Sequence, residues 1–139
     1  MSRPLKIQIV ERARELIADE QHWCRRHFGE DANGFPASPT SPSAIKWCGL
    51  GALIAAAYQL THNADAAYQV GYQVLRPRYG SATLIHINDV RGHAAVLALF
   101  DELSEDGLTL VMVTHEEHVA SHARRRVRMI DGCLTEVER

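Results

Sequence analysis

No apolar run in this chain is long enough to cross a bilayer. The longest, Leu50 to Tyr58, falls well short of the ~20 residues that a spanning helix needs, so direct membrane insertion is not expected. Neither sign of charge dominates. Fifteen Lys and Arg face seventeen Asp and Glu, for a net charge of -2 and a pI near 6.4. That balance gives no global drive toward nucleic acid or an anionic surface, and no nucleic-acid partner is expected. Arg124-Arg125-Arg126 is a local basic run, but such runs ordinarily complement the negative end of a helix dipole. Cysteine is sparse, with Cys24, Cys48 and Cys133 alone. Met1-Ser-Arg-Pro-Leu-Lys6 leads into a charged amphipathic stretch instead of an apolar signal core, so the expectation is three free thiols in a reducing cytoplasm. A G-x-x-x-x-G-K-[ST] loop, which would cradle phosphates on backbone amides, is also missing.

What is present is 139 residues with 46% apolar content, enough to bury one core. From Leu5 to Asp19, Val10, Ala13, Leu16 and Ile17 recur at helical spacing between charged residues and predict a first helix. Between Gly29 and Ser43 the residues turn to Gly, Pro, Ser, Asp and Asn; Pro36, Pro39 and Pro42 make this an irregular loop. Ser43 then offers a cap for a central buried helix over Trp47 to Leu60, whose Ala55-Ala56-Ala57 suits close approach of a neighbour. Asn63 offers a cap for a third helix, with Ala67, Val70, Gly71 and Val74 inward and Arg76-Pro77 as its end. Tyr79 to Asn88, with Thr83-Leu84-Ile85-His86-Ile87, reads as an edge strand or an extended approach. Asn88 or Asp89 would cap the next helix, which carries Val96, Leu97, Phe100 and Leu103 inward and closes at Gly107. Leu108 to Val113 has the pattern of a strand covered on both faces. Asp131-Gly132, between two apolar runs, predicts a tight hairpin with positive φ at its turn.

Two resemblances follow from these residues. The run VLALFDELSEDGLTLVMVTHEEHVASHARRRVRMIDGCLTEVER, from Val96 to Arg139, is similar to the last part of an ABC-transporter ATPase domain. That resemblance implies helix, strand, helix and hairpin, with Thr109 to Thr114 delivering His115 as a γ-phosphate sensor. The phosphate loop of that family, its LSGGQ-like segment and the apolar run ending in Asp-Glu have no counterpart here, so His115 has no held nucleotide to sense. Trp47-Cys48-Gly-Leu-Gly51-Ala52-Leu53, followed by Asn88-Asp89 and Arg91, resembles a small bacterial domain family of unknown function over about residues 7–102. A Trp is usual there where this chain has Ile87. VLALFDEL serves both resemblances, so the expected organisation is a helical domain over 1–103 and an ABC-ATPase-like segment over 96–139. The two would be joined like a fusion within one shared helix and folded as one compact unit.

Several residue sets have the types that chemistry needs. Cys48 at a helix start would have its thiol pKa lowered by free amides, and His86 with Asn88 would complete a cysteine-hydrolase trio; the alternative is a buried structural cysteine beside Trp47 and Ala52. His22, Cys24, His27 and Cys48 are enough in number for a tetrahedral zinc, although Cys48 lacks a second ligand at pair spacing. His115 and His118 do not form H-E-x-x-H, because position 119 is Val; His118 and His122 do share a helical face. Asp89 and Arg91 are candidate ligand-binding residues, with Arg91 alternatively paired to a carboxylate such as Asp31.

The expected fold is α+β, an N-terminal helical region packed with a small C-terminal sheet built on Leu108 to Val113. No catalytic set is complete, so the expected function is that of a non-catalytic cytoplasmic protein that binds a protein partner. One alternative is a truncated ABC-transporter ATP-binding-subunit fragment that needs another chain to bind nucleotide. Another is a hydrolase using Cys48. No cofactor is expected, ATP and zinc being the two that the residues would admit. A sheet this small exposes its edges, which makes a homodimer an option.

Overall fold

A computed structural model describes residues 4–75, 80–105, 111–123 and 125–137. The class is α+β: helices share one core and the described strands form two short antiparallel pairs.

Helix α1 (Leu5–Ile17) starts directly after Pro4 and buries Ile9, Val10, Ala13 and Ile17 along one stripe. It ends before Asp19, whose carboxylate accepts from Gln21 N at 2.9 Å and opens a 3-10 turn over Glu20–His22. Strand β1 (Gly29–Glu30) then pairs with β2 (Lys46–Trp47), closing the Pro-rich stretch into an excursion between them. Asp31 folds that excursion back, its Oδ1 accepting from Asn33 N and Phe35 N.

Helix α2 (Gly49–Thr61) is the central element, with Leu50, Leu53, Ile54, Ala56 and Ala57 inaccessible to solvent. Its start differs from the expected one. Trp47 lies in the β1–β2 ladder and cannot be helical at the same time, so the helix begins two residues later with Cys48 as cap; the thiol accepts from Gly51 N at 3.3 Å. Ser43 stays in the loop, where its backbone N–H donates to Ser41 Oγ. Helix α3 (Ala64–Gln73) begins at Asn63 as expected, the side chain accepting from Ala66 N at 2.9 Å. Gly71 lets α3 lie close on α2, since a Cβ there would come within 2.9 Å of Ile54 Cγ1.

The stretch expected to be extended is helical. Helix α4 (Ser81–His86) runs on into a π-helical turn over Ile87–Arg91. Burial of Leu84 and Asn88, four residues apart, overrides the β-branched residues between and around them. Helix α5 (His93–Leu103) is preceded by Gly92 at φ 95° and not by a capping side chain. It buries Val96, Leu99, Phe100 and Leu103; Leu97, expected inward, is only partly covered.

Past α5 the chain departs most from expectation. Residues 111–113 join no strand, with Val111 and Val113 exposed and Met112 packed against the core. Residues 108–110, Gly107 and Arg76-Pro77 lie outside the described residues. Helix α6 (Glu117–Ala120) buries Val119. Strands β3 (Arg126–Ile130) and β4 (Cys133–Val137) form the expected hairpin, with Asp131 at φ 50° and Gly132 at φ 77°. Among the described residues these two strands pair only with each other, and the described part of the run expected as a central strand, 111–113, does not join them. No described helix is long and apolar enough to cross a membrane.

Candidate functional site

The polar residues of the helical region converge on Asn88, whose surface is wholly buried in the π-helical turn. Its Oδ1 accepts from Trp23 Nε1 at 2.6 Å and from Gly49 N at 2.9 Å; its Nδ2 donates to Cys24 O at 3.1 Å and to Asp89 Oδ1 at 3.0 Å. The amide therefore uses both acceptor and both donor positions, and a buried group so satisfied rigidifies what it touches. It does supply a cap, but to α2, through Gly49, and not to α5. Asp89 in turn accepts from Arg26 N at 3.0 Å and holds Arg26 at φ 72°, a conformation that L residues seldom adopt. Trp23 is further packed by His93, with ring centroids 5.5 Å apart, and by the Arg25 guanidinium 4.9 Å from its centroid.

A shallow cleft opens beside this network, lined by Arg26, His27, Phe28, Cys48, Ile85, Asn88 and Asp89. Its free volume is about 30 Å³, the scale of a water molecule or two and an order of magnitude below an ordinary small-molecule site. Cys48, Asn88 and Asp89 are thus brought together, whereas His86 faces solvent on α4 and Arg91 is exposed at the end of the π-helical turn. Asp31, a carboxylate considered for Arg91, closes its own loop instead.

The thiols differ from the expectation of an activated cysteine. Burial pushes Cys48 up to about 11, against the backbone amides of Gly51 and Leu50 that pull it down. The helix start has the anticipated sign but is outweighed by desolvation. Burial also pushes Cys24 up to about 12, helped by the Glu30 carboxylate, and its Sγ donates to His27 O at 3.4 Å. Among the four residues considered for zinc, His22 is exposed, Cys24 and Cys48 are buried, and His27 Nδ1 lies 3.1 Å from Glu30 Oε2. Among the described residues no three His, Cys, Asp or Glu side chains are grouped to hold a metal ion.

His115 is exposed just past the run 111–113. The next two histidines are not isolated: His118 stacks on His62, with ring centroids 5.8 Å apart, and meets His122 edge-on at 5.4 Å. His122 Nε2 is buried without a hydrogen-bond partner among the described residues, and burial, then His118 and His62, lower its pKa below 6.5. The spacing of His118 and His122 was readable; the arrival of His62, the left-handed cap of α2, was not. Gln69 and Gln73, which bond to the backbone of Val111 and Val113, also escaped the sequence reading, although their one-turn spacing was the available signal.

A model of a family of unknown function (DUF6197) matches residues 1–106. Separately, the macrolide export ATP-binding/permease protein MacB of Wolinella succinogenes is 47% identical over 47 residues, 34% of this chain and 7% of that protein. MacB of Escherichia coli is 46% identical over 44 residues, 32% of this chain and 7% of that protein. An uncharacterized ABC transporter ATP-binding protein, YvrO of Bacillus subtilis, is 43% identical over 51 residues, 37% of this chain and 22% of that protein. The chain thus spans less than a quarter of the length of these relatives. No solved structure matches.

Proposed function

The chain belongs to the DUF6197 family of unknown function, and from that premise we propose that it is a non-catalytic cytoplasmic module that binds a protein partner through its C-terminal hairpin. One observation carries this reading. On one face of the hairpin Val127, Met129 and Leu134 stand 54%, 68% and 65% exposed, with Met129 directly opposite Leu134 in the register. A two-stranded ribbon with, among the described residues, an uncovered apolar face and two unpaired edges is a surface suited to another chain. The helical region supports the same conclusion from the other side, because Asn88, Asp89 and Cys48 are engaged in holding backbone and the cleft beside them fits only water. The exposed thiol of Cys133 and the buried ones of Cys24 and Cys48 suit a reducing compartment.

The limited similarity to MacB and YvrO favours a second reading, in which the segment over residues 96–139, from within α5 onward, derives from an ABC ATP-binding subunit and needs another chain to form a nucleotide site. No phosphate loop exists in this chain, so the isolated protein is expected not to bind a fluorescent ATP analogue. Low-micromolar binding would replace the first reading with an independent nucleotide site.

A photo-crosslinking residue placed at Met129 in producing cells tests the first reading. Discrete adducts with another protein support it, and an adduct of twice the chain mass identifies the partner as a second copy. Absence of adducts at that position would overturn it.

A further inference from the structure

Helix α3 carries Gln69 and Gln73 one turn apart, and both side-chain amides grip the extended run 111–113. Gln73 Nε2 donates to Val111 O at 2.6 Å while Val111 N donates to Gln73 Oε1 at 2.7 Å. One turn earlier, Gln69 Nε2 donates to Val113 O at 3.1 Å and Val113 N donates to Gln69 Oε1 at 2.9 Å. The spacings match: four residues of helix rise about 6 Å, and two residues of extended chain advance about 6.5 Å. The two amides therefore present donor and acceptor pairs at nearly the repeat of a neighbouring strand, and the run is held as a sheet edge would hold it.

All four bonds end on main-chain atoms of the gripped segment. Its outer side chains add little selection, since Val111 and Val113 are 60% and 77% exposed, whereas Met112 between them packs against the core. The recognition rule is thus an extended backbone with one apolar side chain at the middle position. Gln69 and Gln73 lie within the family-matched residues 1–106, and the gripped run lies outside them.

We propose that this face of α3 is a binding site for an extended peptide segment of a partner protein, and that residues 111–113 occupy it in cis as a displaceable strap. The site shares no residue with the hairpin face, so its failure and that of the hairpin reading are separate results.

The test uses the full chain and a labelled, end-blocked peptide of residues 111–116, Val-Met-Val-Thr-His-Glu. Met112→Asp places a charge where the strap is anchored; hydrogen exchange at Val111 and Val113 is expected to lose protection, and the peptide to bind this variant about tenfold or more tighter than the unaltered chain. Adding Gln69→Ala and Gln73→Ala should abolish that gain. Val111→Pro with Val113→Pro removes both main-chain donors of the strap and is the substitute where Met112→Asp does not fold. Peptide binding that is absent after strap release, or indifferent to the two glutamines, would overturn the proposal. Persistent protection at 111 and 113 would do the same, since a strap that never leaves never frees the site.

Discussion

Asn88 Oδ1 lies 2.6 Å from the indole nitrogen of Trp23, which joins residues 65 positions apart at the point where α2 begins. Through this one amide the loop after α1, the start of α2 and the π-helical turn are tied together.

Asn88→Ala is expected to destabilise the chain by about 3 to 5 kcal/mol, because it strands the Trp23 N–H, the Gly49 N–H and the Cys24 carbonyl in the interior. Asn88→Asp keeps the acceptor but loses the donor, and it sets a second carboxylate beside Asp89. Urea unfolding midpoints should therefore fall for both. A loss under 1 kcal/mol for the alanine variant would remove Asn88 from the centre of the fold.

Gly51 and Gly34 form a contrasting pair. A Cβ at Gly51 would sit 1.8 Å from the Phe28 carbonyl oxygen, so Gly51→Ala must displace backbone and should cost about 3 kcal/mol or more. At Gly34 no described residue lies within 4 Å of an added Cβ and φ 83° is what opposes a side chain, so Gly34→Ala should cost about 1 kcal/mol. Thermal or urea unfolding of the two variants decides the order.

Iodoacetamide near neutral pH should label Cys133 first. Cys48 and Cys24 are buried, with thiol pKa values pushed up to about 11 and about 12, so the thiolate at Cys48 is only about one part in ten thousand at pH 7. Peptide mass mapping against time gives the order. Fast modification of Cys48 would revive the hydrolase reading.

How much of this was legible beforehand varies along the chain. The helical stripe of α1, the Asn63 cap and the Asp131-Gly132 turn depend on local residues, and all three stand where local physics puts them. Segments whose state depends on a distant partner were misread. Thr83 and Ile85 favour strand locally, yet burial of Leu84 and Asn88 makes that stretch helical. Val111 and Val113 favour strand too, but their backbone bonds go to glutamine side chains of α3. At the candidate site, the grouping of Cys48 with Asn88 was legible, whereas His86 and Arg91, expected beside Cys48 and Asp89, do not line the cleft. The sign of the Cys48 shift was not legible, because it turns on depth of burial and not on position at a helix start.

The histidine cluster is expected to make stability fall with acidity. The pKa of His122 in the folded chain lies below its ordinary 6.5, with burial as the main cause and His118 and His62 adding to it, so the unfolded chain binds more protons at low pH. The contribution is intact above 6.5 and is lost as pH falls through that value toward the folded one. Urea midpoints measured from about pH 7.5 to 5 should decline, and His122→Asn should flatten part of the decline. An unchanged slope in that variant would remove the cluster as its cause.

Comparison of two variants in the same cells would locate the working surface most directly: Cys48→Ala against Met129→Lys with Leu134→Lys, each scored for the proteins it retains after crosslinking. If the hairpin is the binding face, the cysteine variant keeps the partners of the unaltered chain and the hairpin variant loses them. Partners lost with Cys48→Ala and kept by the hairpin variant would place function at the cleft beside Asn88 and contradict the assignment of binding to the hairpin.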